Sequence, residues 1–249
     1  MVDRLFAEPA LAELYDMWDP WEGRGDFAFY LPLVMSAETV LDVGCGTGEL
    51  LRVARQAGHT GRLCGLDPAL GMLQQARRRP DIEWVLGPAA TAGWDHEFDL
   101  AVMTGHAFQV LVGDNEIRAS LAAIRSALTP DGRFAFETRN PLARAWEAWT
   151  PDHAVEVVSA AGTVVRMAHE VDTPADGERG ETVSFTSTFT SPGWDRPQVS
   201  RSTLRFLDAD ALAAFLSGAG LVVDEQFGDW DRQSLTDKSP EIITIARRG

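Results

Sequence analysis

Short apolar runs alternate with amphipathic helical stretches from residue 39 to about residue 137. Each run has the length of a strand that is buried between helices. Buried strands that alternate with helices form a parallel sheet with helices on both faces. The sequence therefore predicts an α/β fold. The candidate strands are Val40–Val43, Arg62–Leu66, Ile82–Leu86, Phe98–Met103 and Gly132–Glu137.

The pattern changes between about residue 154 and residue 207, where apolar residues recur at every second position, as in TVSFTSTFT. This period is typical of antiparallel strands joined by turns. Inside an α/β chain, such a segment predicts an inserted antiparallel β subdomain or lid. Helical spacing returns at residues 208–216, and two last strands are predicted near 221–227 and 241–247.

The chain is acidic: its 249 residues include 22 Lys and Arg against 37 Asp and Glu, which gives a net charge of −15. Such a body repels the phosphates of nucleic acids and anionic lipids, so neither a nucleic acid nor a membrane is an expected partner. No apolar run has the length of a signal peptide or a membrane span, so a cytoplasmic protein is expected. The two cysteines and five histidines show no metal-ligand spacing, so no metal site is expected.

A glycine-rich turn joins the first strand to the next helix in TVLDVGCGTGELL. Gly44, Gly46 and Gly48 leave out alternate Cβ atoms, so a ligand can approach the backbone closely. The turn ends at a helix N-terminus, where unpaired N–H groups point outward. A dinucleotide fingerprint would need a glycine where Glu49 stands. Asp42, just before the loop, suits a ligand with an ammonium group better than one with phosphates.

A second acidic residue, Asp67, follows 19 residues after Gly48, at the tip of the second strand in GLDPALGML. An acidic side chain at this place can accept hydrogen bonds from both hydroxyls of a ribose. Pro68 then begins a helix that runs through Met72. The glycine loop, Asp42 and Asp67 together predict a site for a ribose-bearing ligand with a positive charge.

The segments VLDVGCGTG, GLDPA with Met72, and FDLAVMTGHAF resemble motifs of the class I S-adenosylmethionine-dependent methyltransferases that act on small molecules. The resemblance covers about residues 36–137 and the closing strands after residue 208. It implies a Rossmann-like, seven-stranded sheet in the order 3-2-1-4-5-7-6, with strand 7 antiparallel. It also implies that the cofactor is S-adenosyl-L-methionine and the product S-adenosyl-L-homocysteine.

The resemblance further implies which residues bind the cofactor. Many members hold the adenine amine with an aspartate after the third strand, but Pro88 and Ala89 stand there in this chain, so backbone near Ala89 is expected to take that role. Tyr30 is predicted to cover the methionine end. The predicted set is Asp42, Gly44, Cys45, Gly46, Thr47, Gly48, Asp67, Pro68, Met72, Ala89, Thr104, Gly105 and Tyr30.

The loop after the fourth strand is expected to face both cofactor and acceptor. His106 in this loop is a candidate general base, because an imidazole can take up a proton near pH 7; it could equally contact the methionine part of the cofactor or only orient the loop. The predicted acceptor-binding residues are Tyr15, Trp18, Arg139 and Asn140. The alternatives are lid packing for the aromatic residues and loop ordering for Arg139 and Asn140.

These observations predict a methyltransferase that acts on a small molecule by in-line displacement. A nitrogen acceptor is favoured over oxygen, because the insertion resembles those of sugar N-methyltransferases. A non-catalytic cofactor-binding module and a nicotinamide-dependent oxidoreductase are the alternatives. The predicted parts are a helical lid (1–35), a cofactor domain (36–150 and 208–249) and an inserted substrate or lid subdomain (151–207), in a monomer or homodimer.

Overall fold

The computed structural model describes residues 2–18, 20–159, 162–172, 175–177 and 180–249. Its α-helices are α1 (Arg4–Ala7), α2 (Pro9–Ala12), α3 (Tyr15–Trp18), α4 (Gly25–Ser36), α5 (Glu49–Gln56), α6 (Leu70–Ala76), α7 (Asp114–Ala127) and α8 (Ala209–Gly218). Its strands are β1 (Thr39–Val43), β2 (Arg62–Asp67), β3 (Glu83–Leu86), β4 (Phe98–Met103), β5 (Leu128–Arg139), β6 (Val155–Val158), β7 (Val164–Val171), β8 (Ala175–Gly177), β9 (Gly180–Thr190), β10 (Gln198–Phe206), β11 (Leu221–Phe227) and β12 (Glu241–Arg248).

The main sheet has seven strands in the order β11-β12-β5-β4-β1-β2-β3. Strands β1 to β5 pair in parallel, whereas β12 is antiparallel to both β5 and β11. With β12 as the seventh strand and β11 as the sixth, this is the predicted order, and the Rossmann-like prediction is confirmed. The order reverses between β1 and β4, which places a crevice at the carboxyl ends of these two strands.

Strand β5 is longer than the sequence predicts. It begins at Leu128 instead of Gly132, although the intervening Thr-Pro-Asp-Gly is typical of a turn. Phe98 pairs with Leu128 while Leu100 pairs with Arg133, so the extra residues of β5 form a bulge opposite β4. Gly132 permits this close approach, because a Cβ there would lie 2.9 Å from the carbonyl oxygen of Phe98.

The insertion forms a second, antiparallel sheet in the order β10-β9-β7-β6, and β8 pairs with β9. The predicted antiparallel subdomain is therefore confirmed. Nine residue pairs join β9 to β10 without interruption. Val183 and Phe189 of β9 are both buried on this sheet, as the alternating pattern predicts.

Helices cover both faces of the main sheet. On one face, α7 and α8 contribute Ile117, Leu121, Leu212 and Leu216 to a core that includes Phe134 and Phe136. On the other face, α4 and α5 pack onto β1 and β4 through Phe29, Leu51 and their neighbours. Among the described residues, none of the helices combines the length and apolar character that a membrane span requires.

The sequence predicts two short helices in the N-terminal segment, near residues 9–17 and 26–35, but the segment is divided more finely. Three single-turn helices precede α4, and Pro9, which has no N–H to donate, separates α1 from α2. Helices α1 and α2 pack on α6, where Gly71 makes room: a Cβ there would lie 2.6 Å from the carbonyl oxygen of Phe6. The N–H of Leu5 donates to Ser200 Oγ at 2.9 Å. The segment therefore contacts both the main sheet's helices and the inserted sheet.

Candidate active site

The predicted functional residues meet where the strand order reverses. The glycine loop follows β1, Asp67 ends β2, and His106 lies in the loop after β4. Glu137, near the end of β5, contacts the backbone of His106. The carboxyl ends of parallel strands share one edge of the sheet, and in open α/β sheets ligands bind at this edge. The topology thus brings together residues that are up to about a hundred positions apart.

The backbone of the glycine loop is left-handed at each of its three glycines, with φ of 73° at Gly44, 55° at Gly46 and 78° at Gly48. A Cβ at Gly44 would lie 2.9 Å from the side chain of Ala107, and one at Gly48 would lie 2.2 Å from the indole of Trp84. A Cβ at Gly46 would have no neighbour within 4 Å. The loop is therefore tightly packed on both flanks and open at its centre.

Asp67 holds this loop in place. Its Oδ2 accepts a hydrogen bond from the N–H of Gly46 at 2.8 Å, and its Oδ1 accepts one from the N–H of Ala69 at 2.7 Å. Burial raises the pKa of the carboxyl group, and these two backbone donors partly offset that effect. Each carboxylate oxygen has a further lone pair, so Asp67 can still accept hydrogen bonds from a ligand.

Asp42 lies beneath the loop with 1% of its surface exposed. Its Oδ1 has no hydrogen-bond partner in the described part of the chain. Burial, followed by the nearby charge of Asp67, raises the pKa of Asp42 to about 7, while Arg24 acts in the opposite direction. A buried carboxylate without a partner is costly. The position therefore suits a positively charged ligand group.

Arg24 is a functional candidate that the sequence reasoning missed. Its Nη2 lies 2.5 Å from Asp26 Oδ2, and a Cβ added to Gly105 would lie 3.3 Å from the same Nη2. Gly105 has φ of 66°, so both the backbone and the space there favour glycine. The charge of Arg24 lowers the pKa of Asp42 and of Asp16. A guanidinium thus stands at the rim of the crevice.

The N-terminal segment is also tied to the glycine loop. Thr47 Oγ1 donates a hydrogen bond to Asp16 Oδ1 at 2.7 Å. Tyr15 packs edge-on against Phe6, with ring centroids 5.9 Å apart, and joins the cluster around Met72. Trp18 tilts against Phe189 of the inserted sheet at 5.2 Å. Tyr15 and Trp18, the two predicted acceptor-binding residues of this segment, therefore flank Asp16 in the sequence, and Asp16 makes the contact with the glycine loop.

A chain of hydrogen bonds runs through the loop after β4. The hydroxyl of Tyr30 donates to Glu137 Oε2 at 2.5 Å, and Glu137 Oε1 accepts from the backbone N–H of His106 at 2.7 Å. The imidazole Nε2 of His106 lies 3.0 Å from both carboxyl oxygens of Glu241. Tyr30, predicted to cover the cofactor, is thus fully buried with its hydroxyl on Glu137. Glu241 was missed by the sequence reasoning.

Burial keeps the His106–Glu241 pair uncharged. Burial and then the charge of Arg139 lower the pKa of His106 to about 4. Burial raises the pKa of Glu241 to about 8, although Arg139 acts in the opposite direction. At neutral pH the proton therefore belongs to the carboxyl group of Glu241, which donates to Nε2 of a neutral imidazole.

The remaining predicted residues have identifiable surroundings. Arg139 Nη1 donates to Gln109 Oε1 at 3.0 Å. Asn140 donates to the carbonyl oxygen of Ser239 at 2.8 Å and accepts from the N–H of Leu142 at 3.1 Å, so its amide orders the loop after β5. Cys45, Met72 and Ala89 are buried; Pro68 is exposed and Thr104 half-buried in the turns after β2 and β4. No group of three or more His, Cys, Asp or Glu in the described ranges could hold a metal ion.

Comparisons with known proteins agree with this geometry. Residues 40–132 match the family described as the methyltransferase domain. A 2-phytyl-1,4-naphtoquinone methyltransferase of Trichormus variabilis is 28% identical over 164 residues, which are 58% of this chain and 70% of that protein. The chain is an S-adenosylmethionine-dependent methyltransferase.

Solved structures support the fold of this methyltransferase over nearly its whole length. An S-adenosylmethionine-dependent methyltransferase from Clostridium acetobutylicum ATCC 824 superposes with a TM-score of 0.76 at 14% identity, over 96% of this chain and 98% of that one. The sugar N-methyltransferase KedS8 from Streptoalloteichus superposes with a TM-score of 0.69 at 19% identity, over 94% and 93%. Matches of this extent include the inserted sheet.

Proposed function

We propose that this methyltransferase transfers the methyl group to a nitrogen atom of a small organic acceptor. The observation that carries the proposal is the His106–Glu241 pair at the reversal point of the sheet. An imidazole with a pKa of about 4 is too weak a base to remove the proton of an alcohol. An amine that has already lost its proton needs no base during transfer. The weak imidazole therefore favours an amine.

Charge supports the same acceptor class. Glu137 and Glu241 lie in contact with His106, and both are carboxyl groups that burial holds towards the neutral form. A cationic ammonium group stabilises their ionised forms, whereas a carboxylate or phenolate acceptor would be repelled by them. An ammonium group that binds beside Glu241 lowers the pKa of that carboxyl group, so the carboxyl proton is released to solvent, and the carboxylate that remains can then take one proton from the ammonium group before methyl transfer. The fold shared with the sugar N-methyltransferase KedS8 is consistent with this chemistry.

The cofactor residues follow from the same geometry. S-adenosylmethionine, when bound, supplies an electrophilic methyl group on a positively charged sulfur. The open centre of the loop at Gly46 admits the ligand, the unpaired Oδ1 of Asp42 suits its positive charge, and Asp67 accepts from the ribose. Arg24 is positioned for the carboxylate of the methionine part. Enclosure of the reacting groups by the N-terminal segment excludes water.

The acceptor class is tested by turnover with ¹³C-methyl-labelled S-adenosylmethionine. Panels of amines, alcohols, phenols and carboxylic acids are incubated with the full chain, and the labelled products are assigned by carbon NMR and mass spectrometry. Methylation of nitrogen in the amine panel is the expected result. Labelling confined to oxygen would overturn the proposal, and so would cofactor binding without any turnover across the panels.

Donor affinity is expected to depend on pH through Asp42. Its pKa of about 7 means that acidification protonates the free protein and removes the charge that attracts the ligand. S-adenosylhomocysteine should therefore bind roughly tenfold more weakly at about pH 6 than at about pH 7.5, because binding is linked to the loss of one proton. Calorimetry at both pH values measures the ratio. In Asp42→Asn the affinities at the two pH values should be nearly equal. If the pH dependence of this variant is as large as that of the unchanged protein, Asp42 is not the group responsible.

Removing the carboxyl group of Glu241 is expected to slow amine methylation. In Glu241→Gln, the amide still contacts His106 but can neither take nor hold a proton, so kcat/KM for an amine should fall roughly 100-fold. The affinity for S-adenosylhomocysteine should stay unchanged. Glu225→Gln on the neighbouring strand β11 is a matched control, since that side chain is exposed. Equal kinetics in the two variants would show that Glu241 plays no part.

A further inference from the structure

A separate cleft of about 450 Å³ lies between the segment that follows β5 and the end of β7. One wall comes from residues 144–151 and the other from residues 170–172. A volume of this size suits a small organic molecule or part of one. The residues that line the cleft are not among those of the candidate active site, and neither the cofactor loop nor the His106–Glu241 pair borders it.

Two indole rings form a rigid part of this cleft. Trp146 is buried, and its ring lies edge-on to Phe206 with centroids 4.5 Å apart. Trp149 tilts against Phe185 of β9 at 4.9 Å. Because the inserted sheet supports both rings from behind, little side-chain entropy is lost when a ligand packs on them. The cleft therefore presents preformed aromatic surface.

The chain itself demonstrates that these rings accept cations. The guanidinium carbon of Arg144 lies 5.8 Å from the centroid of Trp146, and that of Arg139 lies 5.2 Å from the centroid of Trp149. Both distances fall in the range of cation–π attraction. An organic cation that takes the place of one of these guanidinium groups would meet the same aromatic surface.

Carboxylates outnumber basic groups among the described lining residues. Glu147, Glu170 and Asp172 stand there against Arg144, which forms an ion pair with Glu147 at 2.9 Å, and against Arg139, which lies over Trp149. An acidic rim around aromatic walls attracts cations and repels anions. The combination selects for a ligand that carries both a ring and a positive charge.

Arg139 connects this cleft to the candidate active site. The same guanidinium that stacks on Trp149 donates to Gln109, and its charge lowers the pKa of both His106 and Glu241. The chain runs directly from the end of β5 at Arg139 into the wall of the cleft at Arg144. One side chain thus borders both the reacting end of the site and the aromatic surface beyond it.

We propose that the cleft binds the non-reacting end of the methyl acceptor, and that this end is a ring that carries a positive charge. The inference rests on the proposed function for the location of the reacting end. On this proposal the acceptor is larger than a single ring. Its reacting group lies at the His106–Glu241 pair, and its cationic ring lies against Trp146 and Trp149.

Benzylamine and its uncharged analogue benzyl alcohol are suitable probes for this end of the acceptor. Binding is followed by ¹⁵N NMR of the tryptophan indole N–H groups in the full chain with S-adenosylhomocysteine present, and each signal is assigned from a Trp→Phe variant. Benzylamine is expected to shift the signals of Trp146 and Trp149, with at least fivefold tighter binding than benzyl alcohol. Shifts confined to other tryptophans, or equal affinity for the two probes, would overturn the proposal.

The acidic rim is tested by a double variant, Glu170→Gln with Asp172→Asn. The affinity for benzylamine should fall at least fivefold, while the matched control Glu156→Gln, an exposed glutamate on β6 of the same sheet, should leave it unchanged. Benzylamine should also compete with the acceptor identified by the labelling panels, raising its KM without lowering kcat. Unchanged affinity in the double variant, or no competition with the acceptor, would refute the assignment of the cleft.

The outcomes separate this inference from the proposed function. If the panels show oxygen methylation while benzylamine still binds at Trp149 and competes with the acceptor, the nitrogen proposal fails and the cleft assignment stands. If nitrogen is methylated but benzylamine leaves the signals of Trp146 and Trp149 unmoved, the cleft assignment alone fails.

Discussion

Gly48→Ala is expected to lower the free energy of unfolding by about 3 kcal/mol, as measured by urea denaturation. Two costs add. The residue has φ of 78°, where any side chain is strained. Its Cβ would lie 2.2 Å from Cη2 of Trp84, so the indole or the loop must move. Because that loop precedes α5 and borders the cofactor site, donor affinity should fall as well.

Substitutions of two other glycines distinguish the backbone strain from the steric clash with Trp84. Gly58→Ala introduces strain at φ of 98° with no atom within 4 Å of the new Cβ, and it lies away from the site. It should cost about 1 kcal/mol and leave the affinity for S-adenosylhomocysteine unchanged. Gly46→Ala has equally open space, so its stability should resemble that of Gly58→Ala while donor affinity falls. Equal destabilisation by Gly48→Ala and Gly58→Ala would show that the contact with Trp84 is unimportant.

Asp67→Ala is expected to weaken the binding of S-adenosylhomocysteine by about 1.5–3 kcal/mol, or roughly 10- to 150-fold. The substitution removes the acceptor for the ribose hydroxyls. It also leaves the N–H groups of Gly46 and Ala69 without their partner, so the loop loses its anchor. Calorimetry at constant pH measures the change.

Two control variants show whether the loss of affinity in Asp67→Ala comes from the carboxylate at this position. Asp67→Asn keeps one carbonyl acceptor and the size of the side chain, so an intermediate loss is expected. Asp224→Ala, on β11 with an exposed side chain, should bind S-adenosylhomocysteine as the unchanged protein does. Wild-type affinity in Asp67→Ala would contradict the ribose assignment.

Local sequence patterns were sufficient for the cofactor side of the protein. The strand–loop–helix pattern around Gly44 and the acid at the end of β2 lie within thirty residues of each other. The order of the main sheet was predicted from the resemblance to the methyltransferase family, whereas the strand pattern alone predicted only a parallel sheet between helices. The start of β5 was predicted incorrectly, because turn-forming residues at 129–132 are accommodated by pairing with β4, which a local pattern does not reveal.

The sequence by itself thus determined the α/β class, the glycine loop and the acid at its side, since each depends on periodicity or on backbone freedom of neighbouring residues. Only the tertiary structure decided that Trp84 closes one flank of the loop, that Arg24 stands at the rim and that Glu241 contacts His106. Those contacts join segments as far apart as 135 positions. Strand pairing and burial bring such segments together, and the pKa values of His106 and Glu241 arise from that burial.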